Sequence, residues 1–243
     1  MSDDLRSAFH DELESIRQGI VRMAAHVSES IPRGTHALLD NDLEAAQDLI
    51  EADDELDALS LELEERCYRV LALQNPMAAD LRRITTALWM NAEIERSGDL
   101  MVNIAKAVRR IYGASYDPHL RGIVVQMSEE AGRLFRLAVD SYVEGNEGLA
   151  AALDDIDDRL DNLNRECIQA IFEGHRHGYF DLEAAVQLAL IGRYYERIGD
   201  HAVNMGERVV YMATGWLPEH TGAARAASRH RVHEEAAEDE SGH

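Results

Sequence analysis

The chain has 243 residues, of which 46% are apolar and 6% aromatic, with 16 glycines and 4 prolines. That length buries one large helical core or two small ones. Its 24 basic and 46 acidic residues leave a net charge of −22, which excludes a diffuse surface for nucleic acid or anionic lipid but leaves a cation site open.

No apolar run reaches the roughly 18 residues of a membrane span. The opening MSDDLRSAFHDELESIRQ is acidic and lacks the apolar core of a signal peptide. Cys67 and Cys167 have no Cys or His partner at metal spacing. Both fall in helical apolar patterns and read as buried thiols in a reducing cytoplasm.

From the N-terminus, Leu5, Phe9, Leu13, Ile16, Ile20, Met23, Val27 and Ile31 recur at three- and four-residue steps, one apolar helical stripe. Pro32 predicts a kink or break. LDNDLEAAQ at 39–47 supplies caps for a second helix running to about Leu73. QNPMAADL at 74–81 is a turn and a helix start, with Pro76 near the first turn of a third helix that ends near Tyr112. YGASYDPHL at 112–120 breaks the pattern. A fourth helix ends near Val143, a fifth follows EGNEG at 144–148 and ends near Phe172, and a sixth runs from about Asp181 to Met212. No period-2 alternation predicts a sheet. The expected fold is all-α: a three-helix bundle over 1–113, a second over 114–216, and a disordered acidic tail over 217–243, where large apolar residues are almost absent.

The halves repeat. ERSGDLMVN at 95–103 aligns with ERIGDHAVN at 196–204, 101 residues later, and ADDELDAL at 52–59 aligns with IDDRLDNL at 156–163, 104 residues later. The difference falls in the turn between the second and third helix of each half, where length changes cost little. Duplication predicts two tandem antiparallel three-helix bundles related by a pseudo-twofold.

The repeats carry carboxylates in pairs. Leu81, Leu88, Glu95 and Val102 share a heptad line, as do Leu182, Ala189, Glu196 and Val203, so each Glu takes a slot its helix otherwise fills with apolar residues. Asp99 and Asp200 follow one turn on. The preceding helices add Asp53 with Asp57, and Asp157 with Asp161. If neighbouring helices pack antiparallel across the short turn, Asp57 and Glu95 come level and the four acids of each half converge. Converging carboxylates either sit on a wet outer face or bind a cation. Oxygen-only ligands suit Mg²⁺, Mn²⁺ and Ca²⁺, and bridging carboxylates also suit iron or zinc in multinuclear clusters. Gly98 and Gly199, unfavourable inside helices, predict close approach of another group. His201 follows Asp200 directly and is the one histidine placed to approach a cluster; the others read as solvent or packing residues.

No G-x-S-x-G, P-loop or strand-borne G-x-G-x-x-G is present, and neither repeat has the Glu-x-x-His pair of a ferritin-like di-iron site. The chain reads as a non-enzyme; the alternative is a metal-dependent helical enzyme or a metal store.

ERIGDHAVNM, ERSGDLMVNI, LQNPMAADLRRI and FHDELESIRQGIVRM together resemble the phosphate uptake regulator PhoU family over about residues 5–212. The resemblance implies two pseudo-twofold three-helix bundles with metal clusters on E(D)-x-x-x-D motifs. These fall on Asp53, Asp57, Glu95 and Asp99, and on Asp157, Asp161, Glu196 and Asp200. The cofactors would be divalent or trivalent ions in carboxylate-bridged clusters, iron or zinc first, with Mg, Mn or Ni as alternatives. The implied role is repression of phosphate uptake and of phosphate-regulon signalling, by linking the ATPase subunit of the Pst transporter to a phosphate-sensing histidine kinase. The expected protein is a cytoplasmic homodimer that binds no nucleic acid and reaches the membrane only through partners. Pro32, Ser97 in place of the second repeat's Ile198, and the tail depart from the family pattern.

Overall fold

The computed structural model describes residues 2–216, so the predicted tail at 217–243 lies outside it. Eight helices follow in order: α1 (Ser2–Asp40), α2 (Leu43–Glu51), α3 (Asp53–Gln74), α4 (Ala79–Arg110), α5 (Pro118–Glu144), α6 (Glu147–Ala151), α7 (Leu153–Arg176) and α8 (Leu182–Thr214). The described residues contain no strand.

Local chemistry sets several boundaries. Asp42 caps α2 by accepting from the Glu44 and Ala45 amides at 3.0 and 2.9 Å. Asp117 caps α5 from His119 and Leu120, with Pro118 in the first turn. Asp181 caps α8 through the Ala184 amide at 2.9 Å. Gly145 and Gly215 close α5 and α8 at φ 65° and 81°, left-handed conformations that glycine adopts without Cβ strain.

Three expectations are corrected. Pro32 does not end the first helix: α1 runs through it. Pro32 faces solvent, where water can satisfy the carbonyl left without a donor, while Ile31, Ala37 and Leu38 hold the opposite face in the core. Pro76 lies in the turn rather than the first helical turn, because Asn75 and Ala78 adopt positive φ and α4 starts at Ala79. The second and fifth predicted helices each split, at Ala52 and Ala152. Under the 104-residue offset Ala152 aligns with Asp48, so the second break comes one turn earlier. Asp53 therefore opens α3, whereas Asp157 lies inside α7.

α1, α3 and α4 pack mutually as one three-helix bundle, and α5, α7 and α8 as the second. The bundles join through α4 against α8, the most extensive helix pair, and α1 against α5. Cys67 and Cys167 are both buried and unpaired, as expected, and burial pushes each thiol up to about 12.

α4 and α8 run antiparallel. Arg82 Nε donates to the Met212 carbonyl, Thr86 Oγ1 to the Arg208 carbonyl, and the Arg110 guanidinium to the Gln187 side chain. The Arg208 guanidinium lies 3.9 Å above the Trp89 ring. This register places Ser97 opposite Ile198, both fully buried, at the midpoint of the crossing. The repeated phrases thus meet at the pseudo-twofold. Ser97 satisfies its hydroxyl on its own helix, donating to the Glu93 carbonyl at 2.8 Å.

Candidate metal sites and the joint between the halves

In the first half, α3 presents Asp53 and Asp57 toward Glu95 and Asp99 on α4. Burial, then the charges of Asp57 and Asp99, push Asp53 up to about 6, while Lys106 acts in the opposite direction. Burial raises Glu95 as well, followed by Asp99 and Asp57; Arg96 opposes and Asp53 adds to the rise. The four carboxylates thus feel one another's charge across the antiparallel α3–α4 pair. They are not drawn into a finished ligand shell: among the described residues, no three His, Cys, Asp or Glu side chains are gathered closely enough to hold a metal ion.

The heptad line explains why Glu95 and Glu196 are half-buried rather than sealed. Leu81 and Leu182 are exposed, Glu95 and Glu196 half-buried, and Val102 and Val203 buried. A straight α-helix drifts about 20° per heptad, so the line climbs from solvent into the core, and the carboxylates fall on its rim. The glycines have the predicted use. A Cβ on Gly98 would overlap Leu56 Cδ2, and one on Gly199 would lie 2.5 Å from Asp157 Oδ1 and 2.7 Å from Leu160 Cδ2. Leu56 and Leu160 are themselves equivalent in the repeat.

The second set is built differently. Glu196 accepts from the Asn164 amide at 2.7 Å and pairs with Arg193 one turn earlier on α8. The other terminal nitrogen of Arg193 lies 3.7 Å from Asp200 Oδ2. The hydrogen bond to Glu196, against the opposing effect of burial, and then the charges of Glu196, Asp200 and Asp161 raise Arg193. Three of the four acids therefore face a guanidinium, and as arranged this set already holds a cation.

His201 does not join the second set. It is buried in the α4–α8 joint with Nδ1 2.6 Å from Glu93 Oε2. Asn204 donates to the same oxygen at 3.3 Å, and Arg96 pairs with Oε1 at 3.1 Å. Burial alone would push the Glu93 carboxyl up, but the His201 hydrogen bond and charge, Asn204 and Arg96 outweigh it and hold it below its ordinary value. Glu93 was missed in the sequence. Its one signal is the line Thr86, Glu93, Leu100, every member of which is buried.

A second buried network, also unforeseen, ties three helices together. Thr35 Oγ1 of α1 lies 2.6 Å from Ser128 Oγ of α5 and 2.7 Å from Tyr195 Oη of α8. A cavity of about 420 Å³ opens elsewhere, between His10, Arg17, Arg83, Tyr142 and Met212, away from both carboxylate sets.

The model of the PhoU domain family matches residues 20–108 and 124–209. The chain is 35% identical over 216 residues to the phosphate-specific transport system accessory protein PhoU homolog 1 of Mycobacterium tuberculosis, covering 88% of this chain and 96% of that one. It is 31% identical over 207 residues to PhoU homolog 1 of Thermotoga maritima, covering 85% and 89%. Crystal structures of PhoU from Pseudomonas aeruginosa and Streptococcus pneumoniae both superpose with a TM-score of 0.79 at 25% identity, covering 86% and 87% of this chain and nearly all of each neighbour. With two matched domains, two repeated carboxylate phrases and two three-helix bundles meeting at a pseudo-twofold, the chain belongs to the PhoU family.

Proposed function

We propose that the protein is a regulatory accessory of a phosphate-specific transport system, acting in the cytoplasm as a metal-binding adaptor that holds phosphate uptake and phosphate-regulon signalling down when phosphate is plentiful. The observation that carries this reading is the match, over most of both chains, to relatives named as accessory proteins of that system. The partners this implies are the transporter's ATPase subunit and a phosphate-sensing histidine kinase, with a second copy of the chain completing a homodimer. Among the described residues no helix is long and apolar enough to cross a membrane, so contact with the transporter falls to surface recognition.

Asp53, Asp57, Glu95 and Asp99 would hold a cation in the first half, and Asp157, Asp161, Glu196 and Asp200 in the second. A bound divalent or trivalent ion, such as iron or zinc, supplies positive charge that offsets the repulsion among these acids. The chain's own part would be to pack α3 onto α4, and α7 onto α8, closely at Gly98 and Gly199, with carboxylates carried on both helices of each pair. Ion occupancy would tie those helices together and stiffen the surface offered to partners.

The test is genetic and biochemical together. Deleting the gene in its own cells should raise phosphate-starvation gene expression in phosphate-rich medium, and restoring it should return expression to baseline. The tagged protein should retain the transporter's ATPase subunit from extract. Unchanged reporter expression in the deletion strain would refute the regulatory role.

A further inference from the structure

The cavity of about 420 Å³ lies at one end of the α4–α8 joint, beside the Arg82–Met212 contact. Its walls come from both halves: Arg17 of α1 with Arg83 and Ile84 of α4 from the first, and Tyr142 and Val143 of α5 with Met212 of α8 from the second. The volume falls in the range of small-molecule sites, roughly 300–1,000 Å³. Apolar side chains form the larger part of its surface. Tyr142 is only 7% exposed, and none of the described residues hydrogen-bonds its hydroxyl. A buried hydroxyl ordinarily has a partner. Burial, and then Cys67, push this phenol above its ordinary value, so it keeps its proton, while the guanidiniums of Arg17 and Arg83 act in the opposite sense. A protonated donor thus borders the cavity within the field of two cations. Of the acids lining the cavity, Glu14 is committed to Arg17, accepting from Nε at 2.9 Å and from Nη2 at 2.6 Å, and Glu144 is exposed to water. Arg83 gives Nη1 to Asp80 at 3.3 Å on the outer surface.

We propose that this cavity binds a small organic acid, with its carboxylate or phosphate-ester head on Tyr142 and Arg83 and its apolar body against Ile84, Val143 and Met212. An oxyanion supplies the acceptor that the Tyr142 hydroxyl lacks, and a charged acceptor makes the stronger hydrogen bond. The planar guanidinium of Arg83 suits the same head group. A bare inorganic anion would leave the apolar walls unfilled, whereas an organic body removes them from water. One wall belongs to α1 and α4 and the other to α5 and α8, so an occupant touches both halves of the duplicated chain. It binds best when those helix ends are held together, and by mass action it stabilises that arrangement. The cavity lies away from both carboxylate sets, so this site works with or without a metal.

The test titrates the full-length chain with octanoate, octyl phosphate, octanol and octylamine, followed by calorimetry and thermal melting. At least one of the two acids should bind saturably, one molecule per chain, and raise the melting temperature; the tighter of the two identifies the head group. Octanol should bind at least about tenfold more weakly, the scale of one charged hydrogen bond, and octylamine more weakly still. Tyr142→Phe should weaken the acid about tenfold. It should leave the melting temperature of the unliganded protein near that of wild type, because the hydroxyl has no partner to lose. Arg83→Gln should weaken the acid and leave octanol unmoved. Val143→Trp, at the exposed rim, should block the cavity and abolish binding of both. No saturable binding of either acid, or octanol binding as tightly as the acids, overturns the proposal. An acid affinity unmoved in both Tyr142→Phe and Val143→Trp overturns it too, since the acid would then sit elsewhere.

Discussion

Glu93 Oε2 and His201 Nδ1 lie 2.6 Å apart across the α4–α8 joint, a buried pair drawn from opposite halves of a duplicated chain. The repeat offers no counterpart: Glu93 corresponds to Tyr194, and His201 to Leu100. The pseudo-twofold joint is therefore held by an asymmetric polar contact. Its carboxylate is further satisfied by Arg96 and Asn204.

Glu93→Ala should cost about 3 kcal/mol, because it leaves His201 facing a void from which water is excluded. His201→Leu should cost less, since Arg96 and Asn204 still serve Glu93. The double variant should show a coupling energy of about 1–3 kcal/mol in denaturant melts. Additive losses would mean that the two side chains do not act as a pair.

Acidity should act on Glu93 and Asp53 in opposite senses. Asp53 stands at about 6 in the fold against an ordinary 3.8. Its folded form retains the proton more readily, so stability from this group declines as pH rises from 3.8 toward 6, and its penalty is full above that. In chelator, Asp53→Asn should therefore raise the melting temperature at about pH 7.5, and the gain should fade as pH drops through that window. Glu93 lies below its ordinary 4.5. Its contribution is present above 4.5 and is lost as pH falls through its lower folded value. Melting curves of wild type, Asp53→Asn and Glu93→Gln across pH would separate the two.

Gly206 should tolerate alanine worse than Gly98 does. A Cβ at Gly206 would lie 2.8 Å from the backbone carbonyl of Ala150 and 2.7 Å from Leu153 Cδ1, whereas at Gly98 the obstacle is the tip of the Leu56 side chain, which can rotate. Alanine adds about 1 kcal/mol of helix propensity at either site, but overpacking against a fixed α6 backbone costs about 1–3 kcal/mol. Gly206→Ala should be net destabilising in thermal melts and Gly98→Ala closer to neutral. The first half already carries Ala105 at the position equivalent to Gly206.

Pro32→Ala should stabilise the protein. The proline is solvent-facing within α1 and deprives that helix of one backbone hydrogen bond. Restoring it should gain about 1–2 kcal/mol, less than the full helix-interior penalty because the helix already accommodates the ring. A lower melting temperature would show that the shape Pro32 imposes on α1 is needed for packing.

The sequence by itself determined the all-helical class, the order of the long helices and their duplication. Apolar residues at three- and four-residue steps cannot form anything but a helix with one buried face, and a phrase repeated after 101 residues leaves two like units as the economical arrangement. The eight carboxylates were legible for the same reason, since i, i+4 spacing puts side chains on one helical face whatever surrounds it. Tertiary structure decided everything that depends on what lies opposite. The passage of α1 through Pro32 depends on which side of the helix meets water. The breaks at Ala52 and Ala152 depend on how α2 and α6 lie across their bundles. The pairing of Glu93 with His201, 108 residues apart, and the claim of Arg193 on the second acid set depend on contacts across helices. Spacing along a chain reports which face a residue shares, but the charge or cavity that meets that face is set by another helix, and no local pattern encodes it.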